Sequence, residues 1–331
     1  MGSVFTNAER VRAALAVLEP LYRDENALEP ERVSEKLHQH TFWLGRGGSL
    51  THTISGIDIA LWDILGQATG QPVGRLLGGR YRERVRPYAS LLMDQPEPLA
   101  DHLRQIKAHG FRAFKIGWGP FGRESHALDE QIVRAARNAV GPDAYLMVDA
   151  GGSDAFWPNG LKWALRTADM LSAYDVAWFE EPLRPDALDD FVILRRQATL
   201  PIAGGEVLTR RQAFTPWLRA GAFDIVQPDV TKVGGISEER RIGWLAQEHG
   251  VRFIPHGWNT AVGLAADLHL SSAFPETDFV EYIDGSPYVD EIVAEPWRLD
   301  EDGMLAIPDG PGLGIRLDPD AVARYGDAPL H

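Results

Sequence analysis

Seven residues able to do chemistry close otherwise apolar runs in this 331-residue chain: Lys115, Asp149, Glu180, Glu206, Asp229, His256 and Glu281. Asp149, Glu180 and Glu206 end three successive runs and supply hard oxygen ligands suited to Mg2+, with water and substrate oxygens completing an octahedron. Taken singly, each acid reads as a solvated charge. Three in succession at equivalent positions favour a metal site over an acidic surface cluster. Asp229 and His256 end the next two runs, so a carboxylate stands where it can hold an imidazole tautomer and raise its basicity, which is the arrangement of a general base. The chain has ten histidines; position and partner single out His256. Lys115 is a cation that can hold a substrate carboxylate and offset the acids, or simply pair with a metal ligand. Glu281 can hydrogen-bond a developing enediolate if protonated, or serve as an ion-pair partner. Together these groups answer one problem. A proton alpha to a carboxylate is too weakly acidic for a histidine base unless preorganised positive charge stabilises the enediolate.

The elements that must position these side chains follow from the pattern around them. From about Arg86 the chain alternates short apolar runs with amphipathic helical stretches such as Asp129 to Val140 and Glu238 to His249, the rhythm of beta-alpha units around a parallel sheet. The expected strands are Pro87 to Met93, Ala113 to Trp118, Tyr145 to Ala150, Ala177 to Glu181, Ile202 to Glu206, Ile225 to Asp229, Phe253 to His256 and Phe279 to Ile283. Eight such units predict a closed α/β barrel of the TIM type, in which C-terminal strand ends share one face and the seven side chains converge on one mouth. Ahead of the barrel, helical spacing runs through Ala8 to Leu21 and Thr51 to Gly70, with Gly70 as a stop signal. Arg46-Gly47-Gly48-Ser49 between them is a binding loop or a plain helix connection. Past Asp284 the chain becomes turn-rich and is expected to pack back on the helical part. The expected division is an N-terminal cap over 1–85, mostly helical and incomplete, a barrel over 86–285 and a returning segment over 286–331.

Composition narrows the function classes. The chain is 44% hydrophobic and 24% charged, with 33 Gly and 22 Pro, as in ordinary globular proteins rich in turns. A net charge of -14 opposes nucleic-acid and anionic membrane surfaces, so no such partner is expected. An acidic substrate then needs local cations or a metal at its site. Without cysteine, thiolate nucleophiles, disulfides, thiolate zinc sites and iron-sulfur clusters are excluded. No apolar run approaches bilayer length and no secretory signal opens the chain, so the expected location is cytoplasmic. Met1 to Thr6 fits the loose N-myristoylation pattern, a six-residue match that arises easily by chance.

At this point the residues resemble a known family, the mandelate racemase / muconate lactonizing enzyme group of the enolase superfamily. Ser55-Gly56-Ile57-Asp58-Ile59-Ala60-Leu61-Trp62-Asp63-Ile64, continuing to Leu76-Leu77-Gly78-Gly79, is similar to the family's helical signature before the barrel. Val148-Asp149-Ala150, Phe179-Glu180-Glu181-Pro182, Gly205-Glu206, Gln227-Pro228-Asp229 through Lys232-Val233-Gly234-Gly235, and Pro255-His256-Gly257 resemble its strand-end motifs in order. The resemblance implies a modified (β/α)8 barrel under a small α+β cap built from both ends of the chain. It also implies a homo-oligomer. It assigns Asp149, Glu180 rather than Glu181, and Glu206 to Mg2+, Asp229 and His256 to the base dyad, and Glu281 to an electrophilic role. Such sites pair a Lys or His base with Mg2+ that stabilises the enediolate.

Two departures bear on the reaction. Many members carry Lys-x-Lys on the second strand, whereas this chain has Lys115-Ile116-Gly117, so the second base is missing. Racemisation needs bases on both faces, but elimination can proceed with His256 alone, first removing the proton and then protonating the leaving hydroxyl. The chain also largely lacks the antiparallel strands and specificity loop with which the family's cap begins, or starts late relative to the family. The expected function is dehydration of an aldonate or aldarate to a 2-keto-3-deoxy acid, with Lys115, Trp258 and Arg46 as candidate substrate contacts. The alternatives are an aldarolactone cycloisomerase, a racemase or epimerase of a 2-hydroxy acid with an unidentified second base, and a non-catalytic metal-binding member.

Overall fold

The computed structural model describes residues 1–325; the end of the expected C-terminal segment, 326–331, lies outside the described residues. Three helices open the chain: α1 (Ala8–Tyr22), α2 (Pro30–His40) and α3 (Gly48–Thr69). Asn7 caps α1, its side chain accepting from Arg10 N at 3.0 Å, and α2 starts on a proline, whose missing N–H costs nothing in a first turn. Gly70 ends α3 in the left-handed region at φ 65°, as its stop signal predicted. Leu18, Val33, Leu37 and Ile54 form the buried seam between the three helices. No helical stretch was expected over α2. With Val33 and Leu37 as its only strong apolar positions in a charged segment, it owes its helicity to packing on α3.

A short α4 (Val73–Leu76) leads into the barrel, with strands β1 (Arg84–Leu92), β2 (Ala113–Gly117), β3 (Tyr145–Asp149), β4 (Val176–Glu180), β5 (Ile202–Gly204), β6 (Ile225–Val226), β7 (Arg252–Phe253) and β8 (Phe279–Ile283). Between them run α5 (Pro96–Ala108), α6 (His126–Val140), α7 (Leu161–Ser172), α8 (Leu188–Gln197), α9 (Arg210–Ala220), α10 (Gly235–Glu248) and α11 (Ala261–Ser272). α12 (Pro287–Asp290), β9 (Leu305–Ala306) and α13 (Pro319–Tyr325) follow. The parallel strands lie in the order β7-β6-β5-β4-β3-β2-β1-β8, and β9 pairs antiparallel with the start of β1. Among the described residues β7 and β8 share no ladder. That seam is crossed by Thr277 Oγ1 donating to Phe253 O at 2.8 Å and by Gly257 N donating to Glu281 Oε2 at 2.8 Å.

One apolar layer fills the barrel interior: Tyr88, Ala113, Met147, Trp178, Ala203, Ile225, Ile254 and Phe279, one residue from each strand or its extension. Side chains two residues apart share a strand face. The next interior positions are therefore Ser90, Lys115, Asp149, Glu180, Gly205, Gln227, His256 and Glu281, and this second layer carries the chemistry. The fold is a modified (β/α)8 barrel.

Several strands are shorter than the sequence suggested. β5, β6 and β7 stop before Glu206, Asp229 and His256. Gly205 leaves the strand region at φ 120°, and Pro228 and Pro255 lack the N–H that a ladder needs. Asp229 and His256 still face each other as an isolated parallel bridge, with His256 N donating to Pro228 O at 2.9 Å. β4 ends at Glu180 because Glu181 takes φ 41°. The returning C-terminal segment packs on α3: Leu313 N donates to Asp63 Oδ1 at 3.0 Å, and Gln67 Nε2 to Pro311 O at 2.8 Å.

Candidate active site

Lys115 stands at the centre of the second layer. Its ammonium lies 2.5 Å from Glu180 Oε1, 2.9 Å from Glu281 Oε1 and 4.0 Å from Asp149 Oδ2. Burial opposes its charge, but Glu180 and Glu281 outweigh that and raise its pKa well above the lysine range. Glu180 is held on its other oxygen by Trp178 Nε1 at 3.0 Å and Gln227 Nε2 at 2.8 Å. Glu281 Oε2 accepts from Gly257 N at 2.8 Å and Tyr88 OH at 3.3 Å. Burial raises the Glu281 pKa, yet Lys115 and His256 hold it below the ordinary carboxylate range. Of the two roles expected for Glu281, the ion pair is the one this geometry displays.

On the opposite wall His256 Nδ1 lies 2.8 Å from Asp229 Oδ2. The other oxygen of Asp229 accepts from Thr231 N at 2.8 Å and Thr231 Oγ1 at 2.6 Å, so the carboxylate cannot turn away. Fixing the donor on Nδ1 leaves Nε2 as the atom that faces the cavity, 2.8 Å from Glu206 Oε2 and 3.8 Å from Glu281 Oε2. Burial disfavours the imidazolium, but Glu206, Glu281 and Asp229 outweigh it and raise the pKa well above the usual histidine value. Lys232, from the Lys232-Val233-Gly234-Gly235 motif, brings its ammonium 3.5 Å from Glu206 Oε1 and 3.4 Å from Asp229 Oδ2, a place at the site that the sequence does not reveal.

Asp149 accepts from Gly151 N at 2.7 Å and Trp118 Nε1 at 3.2 Å. Trp118 is itself in the left-handed region at φ 61°, a strained backbone next to a site. Its indole lies where a Cβ on Gly151, also at positive φ, would approach to 2.8 Å. Burial and the neighbouring charge of Glu180 push the Asp149 carboxyl well above its ordinary range. Glu181 is buried beside it and is pushed up to about 8, first by burial and then by Glu206. One donor atom from each of Glu180, Glu206 and His256 lies within 4.8 Å of the others, a group able to surround a metal ion. Asp149 lines the same cavity outside that tightest group.

The cavity over these residues measures about 450 Å³ and is lined by Lys115, Asp149, Glu206, His256, Lys232 and Trp258, among others. Trp258, a candidate substrate contact, lines this cavity. Arg46 does not line this cavity: its guanidinium stacks 4.9 Å from the Phe42 ring and its carbonyl accepts from Thr209 Oγ1 at 3.1 Å. The Gly47-Gly48 turn is tied to the start of α9 and opens α3, so it acts as a helix connection. Phe5 was missed and roofs the cavity, with the Lys232 ammonium 4.3 Å from its ring centre and its carbonyl held by His52 Nδ1 at 2.8 Å. Ser90 and Gln227 were also missed. Their signal was available, since they stand two residues beyond Tyr88 and Ile225 of the apolar layer.

A ring of buried carboxylates and one imidazole at the C-terminal mouth of such a barrel defines a class of metal-assisted acid-base enzymes. Residues 98–321 match the enolase C-terminal domain-like family, and residues 6–78 match the mandelate racemase / muconate lactonizing enzyme N-terminal domain. The chain belongs to the mandelate racemase / muconate lactonizing enzyme group of the enolase superfamily. It is 40% identical over 294 residues to D-galactarolactone cycloisomerase of Agrobacterium fabrum, spanning 85% of this chain and 75% of that protein. It is 33% identical over 313 residues to arabinonate dehydratase of Saccharolobus solfataricus, spanning 93% of this chain and 81% of that protein. The crystal structure of 3,6-anhydro-D-galactonate cycloisomerase from Zobellia galactanivorans superposes with a TM-score of 0.90 at 31% identity, over 99% of this chain and 90% of that one. The chain is an enzyme of hydro-lyase or cycloisomerase type. No helix among the described residues is long and apolar enough to cross a membrane.

Proposed function

We propose that this enzyme removes the proton alpha to the carboxylate of an acid sugar and eliminates water, giving a 2-keto-3-deoxy acid, with Mg2+ as its ion. The observation that carries the reading is His256, held by Asp229 on one nitrogen and presenting the other to the carboxylate ring. The donor set fits a divalent ion. Asp149, Glu180 and Glu206 are buried together, and burial followed by the Glu180 charge raises the Asp149 carboxyl well above its ordinary range, a repulsion among acids that a cation would relieve. These three residues would hold Mg2+, leaving His256 Nε2 free for the proton. When bound, the ion would stabilise negative charge developing on the substrate carboxylate.

The chain's own groups account for the remaining steps. Lys115 offers a buried cation to the substrate carboxylate, and Glu281 keeps that ammonium aimed into the cavity. A cation on Glu206 would offset the charge that most favours the imidazolium, so that His256 Nε2 would be free to take the alpha proton while Asp229 stabilises the imidazolium that forms. The same proton then passes to the beta hydroxyl as its C–O bond breaks, so water leaves and the enol becomes the ketone. Gly117 gives the opposite face no base, which disfavours racemisation.

Cycloisomerisation of an aldarolactone is the second reading, favoured by the 40% identity to the galactarolactone enzyme. It uses the same proton abstraction. A library of aldonates, aldarates and aldarolactones, incubated with the enzyme and Mg2+, tests both. Semicarbazide-reactive keto product from an open-chain acid supports dehydration, and product from lactones alone supports cycloisomerisation. Exchange of the alpha proton in D2O without keto product would overturn both in favour of epimerisation.

A further inference from the structure

A second cavity of about 480 Å³ adjoins the first, and Phe5 and Trp258 line both. Each volume alone lies in the roughly 300–1,000 Å³ range of small-ligand sites, so one acid sugar in the first leaves the second open. Their linings differ in kind. The first holds two lysines, two acids and a histidine; among the described residues, none lining the second is charged.

The second cavity instead offers neutral hydrogen-bonding side chains, among them Asn7, Asn259 and Ser286, together with aromatic surface. Trp258 is 37% exposed and Tyr288 is 50% exposed, high values for large rings. The Tyr288 ring is backed by Tyr325 in an edge contact at 5.9 Å, which holds it as a wall. Aromatic faces beside amides and hydroxyls suit a ligand with apolar C–H faces and many hydroxyls, a pyranose above all. Carboxylates and phosphates find no cation among its described lining residues.

We infer that the second cavity binds an uncharged glycosyl unit carried on the distal end of the acid sugar, so that the substrate class is a glycosylated acid sugar such as an aldobionate. This rests on the acid-sugar reading of the first cavity. Trp258, placed between the chambers, is the wall against which the glycosidic linkage passes.

The test compares aldobionates (lactobionate, cellobionate and maltobionate) with galactonate and gluconate. Binding to the Mg2+-loaded His256→Asn protein is measured by calorimetry, and turnover of the unmodified enzyme is followed separately by semicarbazide. At least one aldobionate is expected to bind tenfold or more tightly than its parent aldonate. Tyr288→Ala, introduced into the His256→Asn protein, is expected to bring that ratio toward one. Equal affinities, a ratio untouched by Tyr288→Ala, or no binding by any aldobionate would each overturn the proposal. A binding advantage without keto product from any acid would leave the subsite standing and sink the dehydratase reading instead.

Discussion

A Cβ placed on Gly117 would lie 2.9 Å from the Cβ of Asp149, closer than two such atoms pack. Gly117 pairs with Asp149 in the β2–β3 register, so the two are locked side by side. Any side chain at position 117 would therefore have to shift Asp149 or its own strand. Gly117→Ala is expected to displace Asp149 and weaken Mg2+ binding about tenfold, at a stability cost of about 1–3 kcal/mol typical of overpacking. Calorimetric Mg2+ titration beside a thermal melt checks this. Unchanged metal affinity would mean Asp149 is not a ligand.

His256→Asn keeps a polar side chain of similar reach but cannot take the alpha proton. Turnover should fall by about 10²–10⁴-fold, the ordinary worth of a general base, while Mg2+ binding stays nearly intact. The measurement is kcat on whichever acid sugar the library identifies, paired with a metal titration. Full activity in the variant would remove His256 from the reaction.

Glu206 accepts contacts from both His256 and Lys232, and burial alone would raise its pKa. Their charges nevertheless hold it well below the carboxylate range, so it is ionised and ready for a cation. Glu206→Gln is expected to weaken Mg2+ binding about ten- to hundredfold, the scale seen when metal sites lose a supporting group. An unchanged titration curve would show that the ligand set lies elsewhere.

Much of this was legible in the sequence because a barrel strand fully buried on both faces announces itself as an apolar run. A charged residue closing such a run has few structural excuses. Lys115, Asp149, Glu180 and Glu281 could be placed for that reason. Glu206, Asp229 and His256 were legible as candidate site residues but not as residues past the strand ends, since strand length depends on ladder hydrogen bonds that propensity does not report. Phe5 and the second cavity were not legible, because they arise where the first seven residues meet the loops after β7 and β8, a contact spanning most of the chain. Lys232 lay in view without a role, because only the three-dimensional turn after β6 brings its ammonium back between Glu206 and Asp229.

Asp58 shows a different use of a buried acid. It lies on α3 with no exposed surface, and its Oδ1 accepts from Ser237 N at 3.0 Å in the first turn of α10. A Cβ on Gly235 would come within 2.4 Å of that oxygen, so glycine there, at φ 84°, permits the approach of cap to barrel. Its Oδ2 has no partner among the described residues. Burial, and secondarily Glu238, raise its pKa to about 7, against the lowering effect of the Ser237 contacts. Between the ordinary value of 3.8 and about 7 the folded chain keeps a proton that the unfolded chain has released. Stability attributable to this group is therefore fully present below 3.8 and is lost as pH rises through about 7, by on the order of 4 kcal/mol. Asp58→Asn copies the protonated carboxyl and retains the acceptor for Ser237 N. Urea melts should show the variant close to the parent protein at pH 4 and more stable at pH 8. If the variant were instead weaker at pH 8, the first turn of α10 would be holding Asp58 as a carboxylate, and the joint between cap and barrel would be an ion-dipole contact rather than a neutral hydrogen bond.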